Sequence, residues 1–504
     1  MIENQFNLID SPWIPIADIG RVSLKQIFTE PSYRALGGNP VQKIAVTKLL
    51  LAIAQAACTP KDDDEWQTLA ADGLAKKCVA YLEQWHDSFY LYGEKPFLQI
   101  SQISTAATQN MGAVLPEIAT GNTTVLNQIH IEKPLDNADK SLLIVQLMGF
   151  ALGGKKTDNS IMLSAGYTGK SNDKGKPSTG KAGVSLGFMG FLHSFLQGES
   201  LLETLWLNLL THEQIQSLPY ANGLGVAPWQ AMPTGEQCSI AEGLQNSLMG
   251  RLVPLSRFCL LNDTGLHYSE GINHLDYKTG MIDPSVAINS AAKPAKVLWV
   301  DTERRPWRFL TALLSFMEAN SGGFECAYIK QGLLRARKTL PKIGLWSGGL
   351  RVSSNAGEQY CSGSDDFVES VVFIDSHYLG ESWYSSLKLE MAELDQLGKI
   401  VYGATLGYFK SQKADGKNQA AMASHLFWQL SERKFQDLVN ACGEDSEATK
   451  ALRKAFADFA SSAYNSYCPN DTARQINAWA ENLPNLGYYL KNIKQKNKNE
   501  EQVL

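Results

Sequence analysis

The sequence predicts an α+β protein: a large mixed N-terminal α/β domain over residues 1–378, a C-terminal four-helix bundle over 379–492, and a flexible tail at 493–504. Two observations lead there. Up to about residue 380, isolated apolar segments at helical spacing alternate with short strand-like runs and turns. From about residue 383 onward the helical pattern is almost unbroken. A hydrophobic fraction of 44% and a charged fraction of 19% fit a globular protein with a sizeable core.

Taken in order, FNLID and PWIPIADIG read as short strands and turns, with a helix beginning at Ser23. Residues 40–58 open with a proline suited to a first helical turn. Ile44, Val46, Leu49, Leu50, Ile53 and Ala57 then form a broad apolar stripe, the mark of a core helix. Further helices are expected over about 63–90 and about 138–152. From Gly153 to Gly190, nine glycines and six lysines are balanced only by Asp158 and Asp173, which predicts a long cationic loop. ESLLETLWLNLL returns to helix. Between about 218 and 375 short strands and turns carry a basic cluster: Lys293, Lys296, Arg304, Arg305, Arg308, Lys330, Arg335, Arg337, Lys338 and Lys342. In an acidic chain that density points toward a polyanion surface.

The bundle helices fall at about 385–411, 418–442, 446–467 and 471–491, with Phe427, Leu430, Leu438 and Cys442 on one face of the second. KADGKN, GEDS and Pro469-Asn470-Asp471 separate them, and Asp471 is placed to cap the last. Such short connections make the helices antiparallel neighbours.

The bulk numbers exclude several classes. With 46 Lys and Arg against 51 Asp and Glu the net charge is −5, so any nucleic-acid function must sit on a local patch. Eight cysteines occur singly without a C-x-x-C, which argues against a zinc ribbon or a disulfide framework and for reduced thiols in the cytoplasm. The N-terminus lacks the apolar region of a signal peptide. VTKLLLAIAQAAC, the longest apolar stretch, contains Lys48 and Gln55 and is too short to span a bilayer. A cytoplasmic protein is therefore expected.

Catalytic signatures are weak. SAGYTGKS (164–171) and GKPSTGKA (175–182) each miss the phosphate-binding pattern G-x-x-x-x-G-K-[ST] by one residue. Neither has the strand before and the helix after that a P-loop requires. Gly183-Val-Ser-Leu-Gly187 matches G-x-S-x-G without the preceding strand of a nucleophile elbow. His212-Glu213 lacks the second histidine of a zinc protease, and Asp365-Asp366 and Asp62 to Glu65 sit beside turns. A P-loop-like NTPase or a serine hydrolase using the 164–187 loop and Ser185 is the alternative to a binding protein. Two readings of the glycine–lysine loop stand: a grip on a nucleic-acid backbone, since glycines permit close approach and lysines neutralise phosphate, or a surface loop without a ligand.

Several stretches, in order, resemble the CasA family, the large subunit of the type I-E CRISPR Cascade complex. They are FNLIDSPWIPI followed by VSLKQIF, the turn Lys95-Pro96-Phe97-Leu98-Gln99, GNTTVLNQIH at 121–130, the glycine loop leading into FLQGESLLETLWLNLL, and HLFWQLSERKFQDL. The resemblance implies a non-catalytic subunit that reads the protospacer-adjacent motif (PAM) in double-stranded target DNA, promotes R-loop formation and recruits a helicase–nuclease. Its other partners would be the guide RNA and the backbone, small and RNA-processing subunits. PAM reading in that family is mainly from the minor groove, whose donor and acceptor code is degenerate.

The implied glycine loop is Gly180, Lys181, Ala182 and Gly183, and the implied lysine finger is Lys278. The implied wedge, a hairpin tip after Gly348-Gly349, involves Ser353, Ser354 and Asn355. Relatives carry a glutamine beside an asparagine there, whereas this chain reads Arg351-Val352-Ser353-Ser354-Asn355. Asn122, Asn127 and His130 would contact the guide-RNA handle and a neighbouring subunit, or else cap turns. The paired C-x-x-C zinc ligands of some relatives are missing, so neither a structural metal nor a cofactor is expected.

Overall fold

The computed structural model describes residues 4–115, 135–152, 190–318, 322–355, 358–360, 366–444 and 446–490. The chain divides into two compact units, one of residues 1–316 with 322–371, the other of 317–321 with 372–504.

The first unit is organised around the helix Pro40–Ala57. Its start is fixed by Asn39, whose side chain accepts the Gln42 amide while Gln42 accepts the Asn39 amide, and by Pro40 in the first turn. The expected single apolar stripe is in fact burial nearly all round, taking in Lys48 and Gln55. The reason is that helices Asp63–Gln84, Asn137–Phe150 and Leu201–Asn208 and the strand Lys342–Leu350 all pack on it. The helix expected over 63–90 ends at Gln84, followed by a 3-10 turn, His86–Phe89, and a strand, Tyr90–Tyr92.

A three-stranded sheet places Lys342–Leu350 between Phe367–Asp375 and His193–Gln197. The last pairing is antiparallel, with Gly348 opposite His193 and Gly344 opposite Gln197. A second sheet orders Thr108–Gln109, Leu266–Glu270 and Arg257–Leu261, and its buried Arg257–Glu270 pair closes to 2.9 Å. The 95–99 turn is a packing device. Phe97 stacks on Phe89 at 4.7 Å, and the Gln99 amide donates to the Leu91 carbonyl and accepts the Leu261 amide. The stretch 218–375, expected as strands and turns, also contains helices, among them Ala327–Ala336.

Arg335 on that helix corrects the expected basic surface. It is buried, lies over the Trp66 ring at 4.3 Å, and donates to the carbonyls of Leu207 and Leu209. Trp66 in turn stacks on Trp206 at 3.9 Å, each indole N–H donating to the other's backbone carbonyl. This cation completes an aromatic stack in the core.

Beyond the end of the strand Phe367–Asp375, the regular structure described in the second unit is helical: Glu381–Ser411, Lys417–Glu432, Phe435–Glu444, Ser446–Tyr467 and Ala473–Glu481. The segment expected as one helix over 418–442 is two, separated at Arg433-Lys434. Phe427 and Leu438, assigned to one face of a single helix, lie on consecutive helices, both fully buried. Thr472, not Asp471, caps the last of these helices, in a reciprocal box with Gln475. Gly398 lets the helices 381–411 and 417–432 approach, since a Cβ there would meet the Trp428 indole at 3.0 Å. Arg453 holds Glu390 through two bonds of 2.8 and 2.9 Å in the helix core. Among the described residues no helix is long and apolar enough to cross a membrane.

Candidate nucleic-acid interface

Gly180, Lys181, Ala182 and Gly183, with Ser185 and the two near-miss phosphate motifs, lie outside the described residues, as do Asn122, Asn127 and His130. The residue at which the chain is again described after the glycine–lysine stretch is Gly190, and its surroundings are specific. Gly190 has φ +81, a left-handed conformation that glycine adopts without strain. A Cβ there would lie 3.4 Å from the Val352 nitrogen and 3.7 Å from the Leu350 carbonyl oxygen. The Gly190 carbonyl accepts the Val300 amide at 2.7 Å, and Leu192 donates to the Leu298 carbonyl at 2.9 Å. Residues 190–193 are thus threaded between 297–300 and the end of the strand 342–350.

That strand leads into a β-hairpin, Ser353–Asn355 paired with Glu358–Tyr360. Ser353 faces Tyr360, Ser354 faces Gln359 and Asn355 faces Glu358, the last pair before the two-residue connection. Ser353 is half-buried, and for Ser354 and Asn355 the backbone register alone is described. At the hairpin base the Arg351 amide donates to the Asp366 carbonyl. The exposed Arg351 guanidinium is 3.4 Å from the Thr302 hydroxyl and 3.9 Å from the Asp366 carboxylate.

Lys278 occupies a single 3-10 turn, Tyr277–Thr279, that begins at Asp276 and ends at Gly280 with φ +88. Asp276 accepts both the Lys278 and Thr279 amides, and Lys278 is exposed, its ammonium 5.9 Å from the Tyr277 ring centroid. Tyr277 meets Phe191 edge-on at 5.8 Å. Phe191 also leans on Trp299 at 4.9 Å and forms a β-bridge with it. The Phe191 carbonyl oxygen lies 2.9 Å from where a Gly349 Cβ would be. One buried phenylalanine therefore joins the end of the glycine–lysine stretch, the lysine turn and the base of the hairpin.

A buried polar network adjoins the lysine turn, where the Arg251 guanidinium donates to the Leu275 carbonyl. Lys48, on the central helix, contacts Asp283 at 2.5 Å and donates to the Arg251 carbonyl. Burial alone would raise the Asp283 carboxyl, but Lys48 and His193 outweigh it and hold it below the usual carboxylate range. His274 bonds the Pro254 carbonyl at 2.6 Å. Burial first, then the charges of Arg251 and Lys48, push its imidazole down to about 3. Ser285 donates to Asp283 and lies 2.8 Å from His193 Nδ1. The trio resembles a hydrolytic triad in composition only. All three are buried and the serine proton is committed to the carboxylate, so the group ties residues 283–286 to the strand 193–197.

Sequence reasoning missed Phe191, Trp299 and Arg351. Trp299 carried a usable signal, an aromatic within the basic run from Lys293 to Arg308. Phe191 carried none, because its importance comes from long-range contacts.

The model of the CRISPR-associated protein Cse1 family matches residues 7–463 of this chain. The chain belongs to the Cse1 family. A curated relative, CasA/Cse1 of Thermus thermophilus, is 28% identical over 341 residues, which is 62% of this chain and 60% of the relative. The aligned part thus spans under two thirds of that relative. The fold is similar to a solved structure of Thermus thermophilus CasA (20% identity, TM-score 0.73, 97% of this chain and 100% of that one). It is also similar to Thermobifida fusca Cse1 (21%, 0.70, 97% and 98%). A chain of a CRISPR RNA-guided surveillance complex matches likewise (14%, 0.68, 97% and 100%). At these identities the likeness is one of fold. The Cse1 match takes in Gly190, Phe191, Lys278 and the hairpin 353–360 alike.

Proposed function

We propose that this chain is the large subunit of an RNA-guided CRISPR surveillance complex (Cascade) in the cytoplasm. In this reading it is not an enzyme. It holds double-stranded DNA at the surface centred on Phe191, reads the PAM there, promotes opening of the adjacent base pairs, and recruits a helicase–nuclease. Guide RNA pairing supplies the remaining specificity. The observation that carries the reading is the packing of Phe191, which follows the glycine–lysine stretch in sequence, against Tyr277 of the lysine turn, against Trp299 and against Gly349 at the base of the hairpin. Lys278 offers an exposed cation on a capped turn, suited to a phosphate or a base edge. Gly180 to Gly183 supply backbone that can approach a narrow groove, with Lys181 beside it. Ser353, Ser354 and Asn355 form one arm of a hairpin able to enter beside the first base pair.

Asn122, Asn127 and His130 would meet the guide-RNA handle and a neighbouring subunit, and the helices from 381 onward, read as a four-helix bundle, would face the other subunits. No metal or cofactor enters this scheme.

The test is DNA binding by the assembled complex over a range of salt. Changing Lys278 to alanine weakens PAM-dependent binding and reduces the log–log salt slope by about 0.9, the release expected for one phosphate contact. Unchanged affinity and slope would remove Lys278 from the interface. ATP or ester turnover by the purified chain that disappears in Lys181→Ala or Ser185→Ala would establish the enzymatic alternative instead.

A further inference from the structure

Trp299 is a large apolar side chain left in solvent, 42% exposed, while Leu298 and Val300 on either side of it are buried. Its backbone is fixed by the bridge to Phe191 and by the flanking bonds from Leu192 to Leu298 and from Val300 to Gly190. Its ring rests against Phe191 at 4.9 Å with the planes 51° apart. Five other indoles of this unit do donate, those of Trp13 and Trp229 among them, to the Leu8 carbonyl and the Tyr81 hydroxyl. Trp66 and Trp206 exchange N–H bonds in the core, and Trp346 donates to Glu369 at 3.1 Å. The Trp299 N–H donates to none of the described residues.

The position is equally specific. Val300 Cγ2 lies 2.6 Å from the point where a Gly349 Cβ would be, so the tryptophan adjoins the strand end that leads to Arg351 and the hairpin. Through Phe191 it continues an aromatic row that starts with Tyr277, beside Lys278. Lys293 and Lys296 precede it, both exposed. Of the nearby carboxylates, Asp301 accepts the Glu303 amide in its own turn and Asp366 lies 3.9 Å from Arg351.

We propose that Trp299 is a stacking platform for a nucleobase unpaired at the PAM-proximal edge of the target duplex. The inference rests on the DNA-binding function proposed above. Every base has a π-face, so such a platform is indifferent to sequence. Opening the first pair releases two bases. The target-strand base gains a new partner in the guide RNA, and the displaced-strand base gains none. The displaced-strand base is therefore the one that Trp299 receives, which opposes re-annealing at the hairpin.

The experiment uses the assembled complex and a PAM-containing duplex with 2-aminopurine at the first displaced-strand position. With the native chain, the fluorescence expected on unpairing stays quenched by the indole. Trp299→Leu keeps an apolar contact with Phe191 but leaves the probe bright and slows opening by about tenfold, the loss expected for one base–aromatic stack. Trp299→Phe falls between. Capture of a duplex cross-linked beyond the PAM is unchanged in Trp299→Leu. If the native complex fails to distinguish PAM from scrambled duplex, the parent function fails and this inference with it. If it does distinguish them, and Trp299→Leu matches the native signal and rate, the platform alone is overturned. Loss of cross-linked duplex capture in Trp299→Leu also overturns it, because the residue would then act before opening.

Discussion

A Cβ on Gly349 would come within 2.9 Å of the Phe191 carbonyl oxygen and 2.6 Å of Val300 Cγ2, so the hairpin can sit against the end of the glycine–lysine stretch because that residue has no side chain. His274, two residues before the Asp276 cap of the lysine turn, is a buried group sensitive to acid. Its folded value of about 3 lies below the ordinary 6.5, so between those values the unfolded chain binds a proton that the folded chain refuses. The stability from His274 is therefore complete above pH 6.5 and is lost as the pH falls toward 3, by up to about 1.4 kcal/mol per pH unit. Denaturant unfolding of the native chain and His274→Gln over this range should show the steeper acid loss in the native chain. Equal slopes would mean that His274 is protonated in the folded state. At this scale the helix starts at Ser23 and Pro40 were legible in the sequence, whereas the boxes that Ser23 and Asn39 form with Gln26 and Gln42 emerged with the structure. The burial of Arg335 was not legible, because nothing near it announces the Trp66 ring that covers its guanidinium.

Helices with a long apolar pattern and a clear start were legible as elements, and Pro40–Ala57 and Ser446–Tyr467 lie where periodicity puts them. The break at Arg433-Lys434 was not, since neither glycine nor proline marks it and packing decides it. The hairpin after Gly348-Gly349 was expected, and the backbone forms one there, with Asn355 in the last pair before its connection. The wedge role proposed for this arm requires insertion to offset about a few kcal/mol of unstacking, and a serine–serine–asparagine arm brings little stacking area to it. Trp299 at the hairpin base would make up part of that shortfall. Replacing Ser354 and Asn355 together with alanine should leave initial duplex capture within about twofold and slow strand opening by more than that, as stopped-flow traces would report. Equal opening rates would take the wedge role away from this arm.

The whole molecule carries a net charge of −5, and this constrains the proposed contact with DNA. An acidic body disfavours attraction over its whole surface, so the proposed affinity would come from a small cationic surface or from the rest of an assembly. The second unit is built of long helices with a buried Arg453–Glu390 pair. Membership of the Cse1 family was legible from stretches such as FNLIDSPWIPI, which fold into the short strands and turns at the start of the first unit. The convergence on Phe191 was not, because it joins residues 277, 299 and 349 to it through space.

The most direct measurement is target-duplex opening by Cascade assembled with and without this chain, on duplexes that match the guide and differ only in the flanking motif. The account predicts fast opening only with the chain present and the PAM intact. Equal opening on a scrambled flank, or without the chain, would contradict it.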